Sequence, residues 1–240
     1  MHTDTPSLES LLEAARQRYD VVFEPLTVDE TPLDVLQIRN MRQHIDALVA
    51  NRSVRDPLHD LPLWAKIWPA SFVLGRFLRK ASPEGRTLLE VGAGCGVTGL
   101  IASRYGFAHV TVSDINEDAL LFARANVLKN GLEDRVSVRR VDVASTRLDE
   151  KFDVIAASEV LYLEELHRPL IKFLLRHLAR REDAVAMLCT DTRRKMGRFF
   201  KQAERDFRIE EQLVGIRTTG DDGEEERRVF TIHRLHHKHP

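Results

Sequence analysis

The chain has 240 residues, of which 43% are hydrophobic and 30% charged, a composition typical of a globular protein with one sizeable core. Its 36 basic and 37 acidic residues leave a formal net charge of −1, which excludes a globally basic protein that binds nucleic acid by charge alone. No apolar run approaches 18 residues and no basic and apolar leader is present, so we expect neither a membrane span nor secretion. The two cysteines, Cys95 and Cys189, form no disulfide framework and no CxxC pair, which predicts a reducing, cytoplasmic location.

The first 85 residues predict a small α+β extension that packs on a larger core. Apolar residues at helical spacing, Pro and Asn/Asp punctuation, and short apolar clusters mark its elements. These are a helix at 7–18 capped by Ser7, a hairpin of strands at 20–28 and 33–39, a helix at 41–50 and a helix that begins at Pro69.

Residues 86–240 predict the core, because strands and helices alternate and a hairpin follows them. The predicted strands are 87–91, 109–113, 136–141, 152–158, 184–190, 207–217 and 227–235. The predicted helices are an apolar one that follows the glycines and ends at about Arg104, and those at 117–129, 164–180 and 195–205. This order is typical of an α/β fold, with a mostly parallel seven-stranded sheet, helices on both faces and an antiparallel edge.

A glycine-rich turn between the first core strand and the following helix is the strongest local signal. Glycine lets the backbone approach a ligand closely, and free N–H groups at a helix start attract negative charge. Asp114 ends the next strand, where a carboxylate can accept both hydroxyls of a ribose. These features predict an adenosine-containing cofactor, without choosing which one.

The frame of the glycines helps to choose the cofactor. Gly94, Gly96 and Gly99 spell the dinucleotide pattern GxGxxG, but in register the motif is Glu90-x-Gly92-x-Gly94-x-Gly96. A pyrophosphate gains nothing from the carboxylate of Glu90, whereas the sulfonium and amine of S-adenosylmethionine do. A nicotinamide or flavin site, and a glycine turn without a ligand, remain the alternatives.

Three segments together resemble the class I, seven-strand S-adenosylmethionine-dependent methyltransferases. They are Glu90–Gly96 with Asp114, the stretch from Ala157 to Glu165 (ASEVLYLEE), and Trp64–Ala70 (WAKIWPA). The acid-x-x-Tyr motif after the fourth strand resembles the protein-lysine methyltransferases more narrowly, and the Trp-Pro form is most like the branch that methylates the electron-transfer flavoprotein β-subunit. The resemblance covers roughly residues 60–235, and it implies a Rossmann-like sheet.

The resemblance also implies roles for particular residues. Glu159 and Tyr162 would face the methyl acceptor. The implied cofactor-binding residues are Trp68, Glu90, Gly92, Ala93, Gly94, Gly96, Asp114, Asp142, Val143 and Ser158. Many members of the family carry a Trp over the adenine where this chain has Asp142 and Val143, so we expect Asp142 to hydrogen-bond the adenine amine instead.

Each assignment has a simpler alternative. Glu159 could be an N-terminal helix-cap acid, Tyr162 could be core packing, and Trp68 could be a core residue without cofactor contact. Cys95 lies in the glycine loop, but the sequence shows no base–nucleophile arrangement around it, which argues against a catalytic thiol.

Three further features stay outside this site. The basic run 193–201 predicts a solvated helix face, with contact to phosphate or an acidic partner as the alternative. The acidic segment 221–226 predicts an exposed hairpin tip, with contact to a basic substrate surface as the alternative. His233, His236, His237 and His239 crowd the C-terminus without a completing Cys or carboxylate set, so we expect no metal.

The combined expectation is a cytoplasmic enzyme that transfers a methyl group from S-adenosylmethionine to an amine, leaving S-adenosylhomocysteine. The preferred acceptor is a lysine side chain of a protein; a small amine or heteroaromatic nitrogen, or a non-catalytic cofactor-binding role, are the alternatives. The segment Ser158–Tyr162 lacks the Asn/Asp-Pro-Pro-Tyr/Phe motif of nucleic-acid base methyltransferases, so we expect no nucleic-acid partner.

Overall fold

The computed structural model describes residues 6–28, 31–51, 53–219 and 225–239. Its strands are β1 (Val21–Val28), β2 (Thr31–Ile38), β3 (Thr87–Val91), β4 (His109–Asp114), β5 (Val136–Arg140), β6 (Val154–Ser158), β7 (Val185–Asp191), β8 (Phe207–Thr219) and β9 (Glu225–His237). Its helices are α1 (Leu8–Arg16), α2 (Met41–Ala50), α3 (Pro57–Asp60), α4 (Pro69–Phe77), α5 (Val97–Ala102), α6 (Glu117–Lys129), α7 (His167–His177) and α8 (Gly197–Ala203).

The sheet of the core has the strand order β5-β4-β3-β6-β7-β9-β8. The first five of these strands run parallel, and β9 pairs antiparallel with both β7 and β8. The predicted α/β fold with an antiparallel edge is therefore confirmed. The predicted N-terminal hairpin is present as a separate two-stranded sheet of β1 and β2.

Two hydrophobic clusters cover the two faces of the sheet, which confirms helices on both sides. Along β3, Leu88 packs with the cluster beneath α4, α5 and α6, and the adjacent Leu89 packs with the cluster beneath α7 and α8. Both side chains are fully buried. The central strands read as continuous apolar runs because each face is covered by helices.

The N-terminal elements share the first of these clusters and are tied to α6 by two asparagines. Asn126 Oδ1 accepts the Leu36 N–H at 2.6 Å, and Asn130 Oδ1 accepts the Asp34 N–H at 2.9 Å. On its other side, Asn126 Nδ2 donates to the Cys95 carbonyl in the glycine turn at 2.9 Å. The buried amide of Asn126 therefore connects the hairpin, α6 and the glycine turn. The division of the chain into two parts at residue 85 stays a prediction.

Tertiary contacts shift several predicted boundaries. The helix predicted at 164–180 is a 3-10 turn at Glu164–Leu166 followed by α7, which ends at His177 because Leu178 turns extended and bridges to Phe152. Phe152 forms this isolated bridge, and the strand predicted at 152–158 begins instead at Val154. The helix predicted at 195–205 is shorter, because residues 192–196 form a loop that turns back onto β7.

The C-terminal hairpin is longer than predicted, and its pairing runs from Phe207↔His237 to Thr219↔Glu225. The exposed hairpin tip predicted at 221–226 is confirmed for Glu225, which is exposed at the tip end of β9 and lies 3.9 Å from Arg217. Glu226 is half-buried in β9 and pairs with Arg228. Residues 221–224 lie outside the described residues. Within the described part of the chain, every helix is too short or too polar to cross a membrane.

Candidate active site

The carboxyl ends of the central strands converge at one edge of the sheet. The chain proceeds from β3 outward through β4 to β5, and then returns to the opposite side of β3 with β6 and β7. A crevice opens where the strand order reverses, and ligands of open α/β sheets bind there. The residues at this edge are Val91, Asp114, Ser158 and Asp191, each ending its strand.

Two glycines give the turn after β3 its shape. Gly92 has φ +63°, and a Cβ there would stand 2.7 Å from Cγ1 of Val160. Gly94 has φ +56°, and a Cβ there would stand 2.5 Å from the Trp64 carbonyl oxygen. Only glycine fits both the left-handed backbone and the space, so the turn is clasped between the segment before α4 and the turn after β6.

Asp114 has a geometry suited to a ribose. Its Oδ2 accepts the Gly94 N–H at 2.8 Å and its Oδ1 accepts the Asn116 N–H at 2.9 Å. Burial raises the pKa of this carboxyl, and the hydrogen bonds oppose that effect. A carboxylate has about four lone-pair sites, so two stay available for the hydroxyls of a ribose.

Glu90 lies beneath the turn rather than on its open side. Its side chain is 1% exposed, and its Oε2 accepts the Gly99 N–H at 2.7 Å. Burial raises its pKa to about 8. The sequence predicts that Glu90 contacts the cofactor directly. In the structure its side chain instead holds the start of α5 against the turn.

Asp142 and Val143 lie next to Asp114, because the Val141 N–H donates to the Asp114 carbonyl at 2.9 Å. Asp142 accepts from the Ser145 hydroxyl at 2.6 Å and from the Ala144 N–H at 2.8 Å, which lowers its pKa. A permanently charged acceptor at this position suits an adenine amine, a contact that stays a prediction.

Glu159 occupies a strained turn after β6. Its φ is +55°, a left-handed conformation that costs a non-glycine residue about 1–2 kcal/mol. Its N–H donates to the Cys189 carbonyl at 3.0 Å, and its Oε1 accepts the Asp191 N–H at 2.6 Å. Its Oε2 lies 2.7 Å from Nε of Arg194. The next helix along the chain, α7, begins at His167, and the 3-10 turn before it begins at Glu164. Glu159 therefore lies too far from either to cap it, and the helix-cap alternative is wrong.

The other predicted residues surround this turn. Tyr162 is 48% exposed, which makes the core-packing alternative wrong, and its pKa is raised by burial and by the charge of Asp114. The Ser158 hydroxyl lies 3.1 Å from that of Ser71 in α4. The Trp68 indole donates to the Leu63 carbonyl at 3.0 Å and lines the pocket next to Glu159.

That pocket contains residues that the sequence analysis missed. Its volume is about 130 Å³, and its polar lining includes Glu159, Asp191, Arg193, Arg194 and Arg228. The signal for Asp191 was available, since it ends a parallel strand just as Asp114 does. The basic run was placed on a helix, but its first two arginines lie in the loop before α8 and pair with acids of the pocket.

The remaining candidates lie in the interior or on other faces. Cys95 is buried, and burial raises the pKa of its thiol, which does not suit a nucleophile. Of the C-terminal histidines, His233, His236 and His237 lie in β9 and contact Thr190, Ala184 and Leu178. Among the described residues, no group of three or more His, Cys, Asp or Glu side chains is placed to hold a metal ion.

Solved structures share this architecture. The crystal structure of a SAM-dependent methyltransferase from Agrobacterium tumefaciens superposes with a TM-score of 0.58 at 16% identity, covering 93% of this chain and 79% of that one. Pyrococcus horikoshii TYW2 in complex with MeSAdo gives 0.58 at 15% identity, over 91% and 72%. At these identities the superpositions show that the fold is shared.

Sequence comparison gives the family. The model of the family described as lysine methyltransferase matches residues 62–206, and the chain belongs to this family. The protein is therefore an S-adenosylmethionine-dependent methyltransferase. Protein N-lysine methyltransferase METTL21A of Danio rerio is 31% identical over 157 residues, which is 61% of this chain and 70% of that protein. The electron transfer flavoprotein beta subunit lysine methyltransferase of Mus musculus is 32% identical over 107 residues, or 44% of this chain and 41% of that protein.

Proposed function

We propose that this protein methylates the side-chain amine of a lysine in a protein substrate, at the mouth between Glu159 and Tyr162. The observation that supports the proposal is the position of Glu159, a carboxylate in a strained turn at the carboxyl edge of the sheet, where it lines a pocket together with Trp68 and Arg194. Family membership and the methyltransferase fold supply the reaction class. The cytoplasmic location, predicted from the cysteines, is part of the same proposal.

The residues at the strand ends fit S-adenosylmethionine. The Asp114 carboxylate keeps lone pairs for the ribose, and Asp142 stands beside it for the adenine. Glu90 acts through the glycine turn, and Ser158 and Trp68 flank the methionine side. The residues proposed to contact the cofactor are Trp68, Gly92, Ala93, Gly94, Gly96, Asp114, Asp142, Val143 and Ser158, and Glu90 supports the turn from beneath.

The bound cofactor supplies an electrophilic methyl group on a sulfonium, so the protein must place a free amine in line with it. A lysine has a reference pKa of about 10.4, so only about one in 2,500 is free at pH 7. In the proposed mechanism, Glu159 accepts a hydrogen bond from the amine and fixes its direction. Tyr162, half-exposed at the rim, closes over the acceptor stem and excludes water.

The test is to incubate the enzyme with isotopically labelled cofactor and a whole-cell protein extract, and to map the labelled peptides. We expect label on lysine side chains, and at least a tenfold lower yield with Glu159→Gln or Tyr162→Phe. The control is Glu164→Gln, which removes an exposed acid of the same segment that pairs with Arg198. Label confined to small molecules, or full activity of both site variants, would contradict the proposal.

A further inference from the structure

The Glu159 carboxylate meets a cation from the chain itself. Arg194 comes from the loop after β7, and its Nε stands 2.7 Å from Glu159 Oε2. The Glu159 side chain is 9% exposed and the Arg194 side chain 41% exposed, so the acid lies further inward than the arginine that pairs with it. The contact is off the hydrogen-bond axis, and Glu159 Oε2 is a buried oxygen that makes no hydrogen bond in the described structure.

The neighbouring charges leave Arg194 as the partner of Glu159. Arg193 binds both oxygens of Asp191, with Nη2–Oδ2 at 2.6 Å, and Arg228 pairs with Glu226. With Glu159 itself included, this described group of charged side chains holds three acids and three bases, joined as the pairs Glu159–Arg194, Asp191–Arg193 and Glu226–Arg228. Trp68, Pro69 and Ala70 of the facing segment are uncharged, Lys66 lies beyond the indole, and the Cys189 thiol is buried beneath.

This pairing bears on a conflict in the chemistry of amine methylation. A bare carboxylate orients an amine but also favours the ammonium form, which has no lone pair to give. A neighbouring cation has the opposite effect, and lysines that react as free amines are found beside another cationic group. A carboxylate that is already paired can still accept a hydrogen bond, because it has more lone pairs than the pair uses.

We propose that Arg194 neutralises Glu159 in the working enzyme, so that the acceptor nitrogen meets a guanidinium–carboxylate pair and reacts as the free amine. Arg194 is a positioning residue that acts through Glu159. When the acceptor binds, the guanidinium shifts along the carboxylate, and the lone pair of Oε2 that this frees accepts a hydrogen bond from the acceptor N–H. The inference rests on the proposed acceptor mouth and adds to it the charge balance that lysine methylation requires.

The first test needs no acceptor. The side-chain carboxyl of Glu159 is followed by carbon NMR in protein labelled at glutamate, with S-adenosylhomocysteine bound, and its signal is assigned as the one missing in Glu159→Gln. We expect the titration midpoint to rise by about one pH unit or more in Arg194→Gln and to stay near the wild-type value in Arg194→Lys. A midpoint that does not move in Arg194→Gln would overturn the pairing.

The second test is the pH dependence of methylation, with desalted whole-cell protein extract as the acceptor probe. Between pH 6.5 and 9.5 the rate of Arg194→Gln should follow the wild-type curve displaced to alkaline pH, with a loss of about tenfold at pH 7 for each unit of displacement, and nearly full recovery at pH 9.5. Arg194→Lys should restore the curve. The matched control is Arg198→Gln, which removes an arginine of the same segment whose partner Glu164 is exposed, and it should leave the curve in place.

The other outcomes separate the possible errors. An equal loss at every pH would show that Arg194 only holds the loop, and a faster rate at neutral pH would show that it competes with the acceptor; both overturn the inference. A displacement that persists in the Glu159→Gln background would show that Arg194 does not act through Glu159. Normal lysine labelling by every Glu159 variant would instead refute the proposed acceptor mouth.

Discussion

Replacing Asn126 tests whether the N-terminal hairpin supports the cofactor turn. Its amide is fully buried and joins the Leu36 N–H, at 2.6 Å, to the Cys95 carbonyl, at 2.9 Å. Asn126→Ala leaves both backbone groups buried without a partner. Each unpaired buried group costs about 1–3 kcal/mol, so we expect the free energy of unfolding to fall by about 2–6 kcal/mol.

The same substitution should weaken the binding of S-adenosylhomocysteine, because Cys95 belongs to the turn that carries Gly94 and Gly96. Asn126→Asp keeps an acceptor for Leu36 and, when ionised, places an oxygen against the Cys95 carbonyl, so it lowers stability as well as affinity. The matched control is Asn130→Ala, one turn along α6, which removes hydrogen bonds to Asp34 of the hairpin at 2.9 and 2.8 Å but touches no part of the turn.

Urea unfolding and isothermal calorimetry measure the two quantities. We expect Asn126→Ala and Asn126→Asp to lower both stability and affinity, and Asn130→Ala to lower stability by about 1 kcal/mol with unchanged affinity. If both Asn126 variants bound S-adenosylhomocysteine with the wild-type affinity, the connection between the hairpin and the cofactor turn would be refuted.

Three further substitutions test the cofactor side of the site. Asp114→Ala should weaken S-adenosylhomocysteine binding in calorimetry by about 1–3 kcal/mol, the loss of charge-assisted hydrogen bonds, and an unchanged affinity would remove Asp114 from the site. Gly94→Ala should destabilise the fold and the cofactor complex more than Gly131→Ala, because both glycines have positive φ (+56° and +61°) but only at Gly94 would the Cβ meet the Trp64 carbonyl; equal losses would dismiss that contact. Burial raises the pKa of Glu90 from 4.5 to about 8, so the folded state binds the extra proton and loses stability as pH rises through that window. Glu90→Gln should therefore show a smaller fall in unfolding free energy between pH 5 and 8, and parallel curves would contradict the raised pKa.

The sequence by itself determined the elements that depend on local chemistry. The strand Thr87–Val91 and the helix Glu117–Lys129 have the predicted bounds, because apolar periodicity and an Asn116 cap are properties of neighbouring residues. The hairpin of the N-terminal part and the antiparallel edge were likewise readable from alternation. The alternation of strand and helix then restricted the sheet to a mostly parallel one with its site at the carboxyl ends.

The tertiary structure alone decided which charges meet. Glu159 and Asp191 are 32 residues apart in the chain, and their hydrogen bond exists because β6 and β7 end side by side. The end of α7 was also set at a distance, by the pairing of Leu178 with Phe152. The basic loop received its role in the same way, since a run of arginines has no local pattern that distinguishes a solvated face from a partner of a buried acid. Local sequence encodes backbone preference, whereas charge pairing depends on which strand ends the fold brings together.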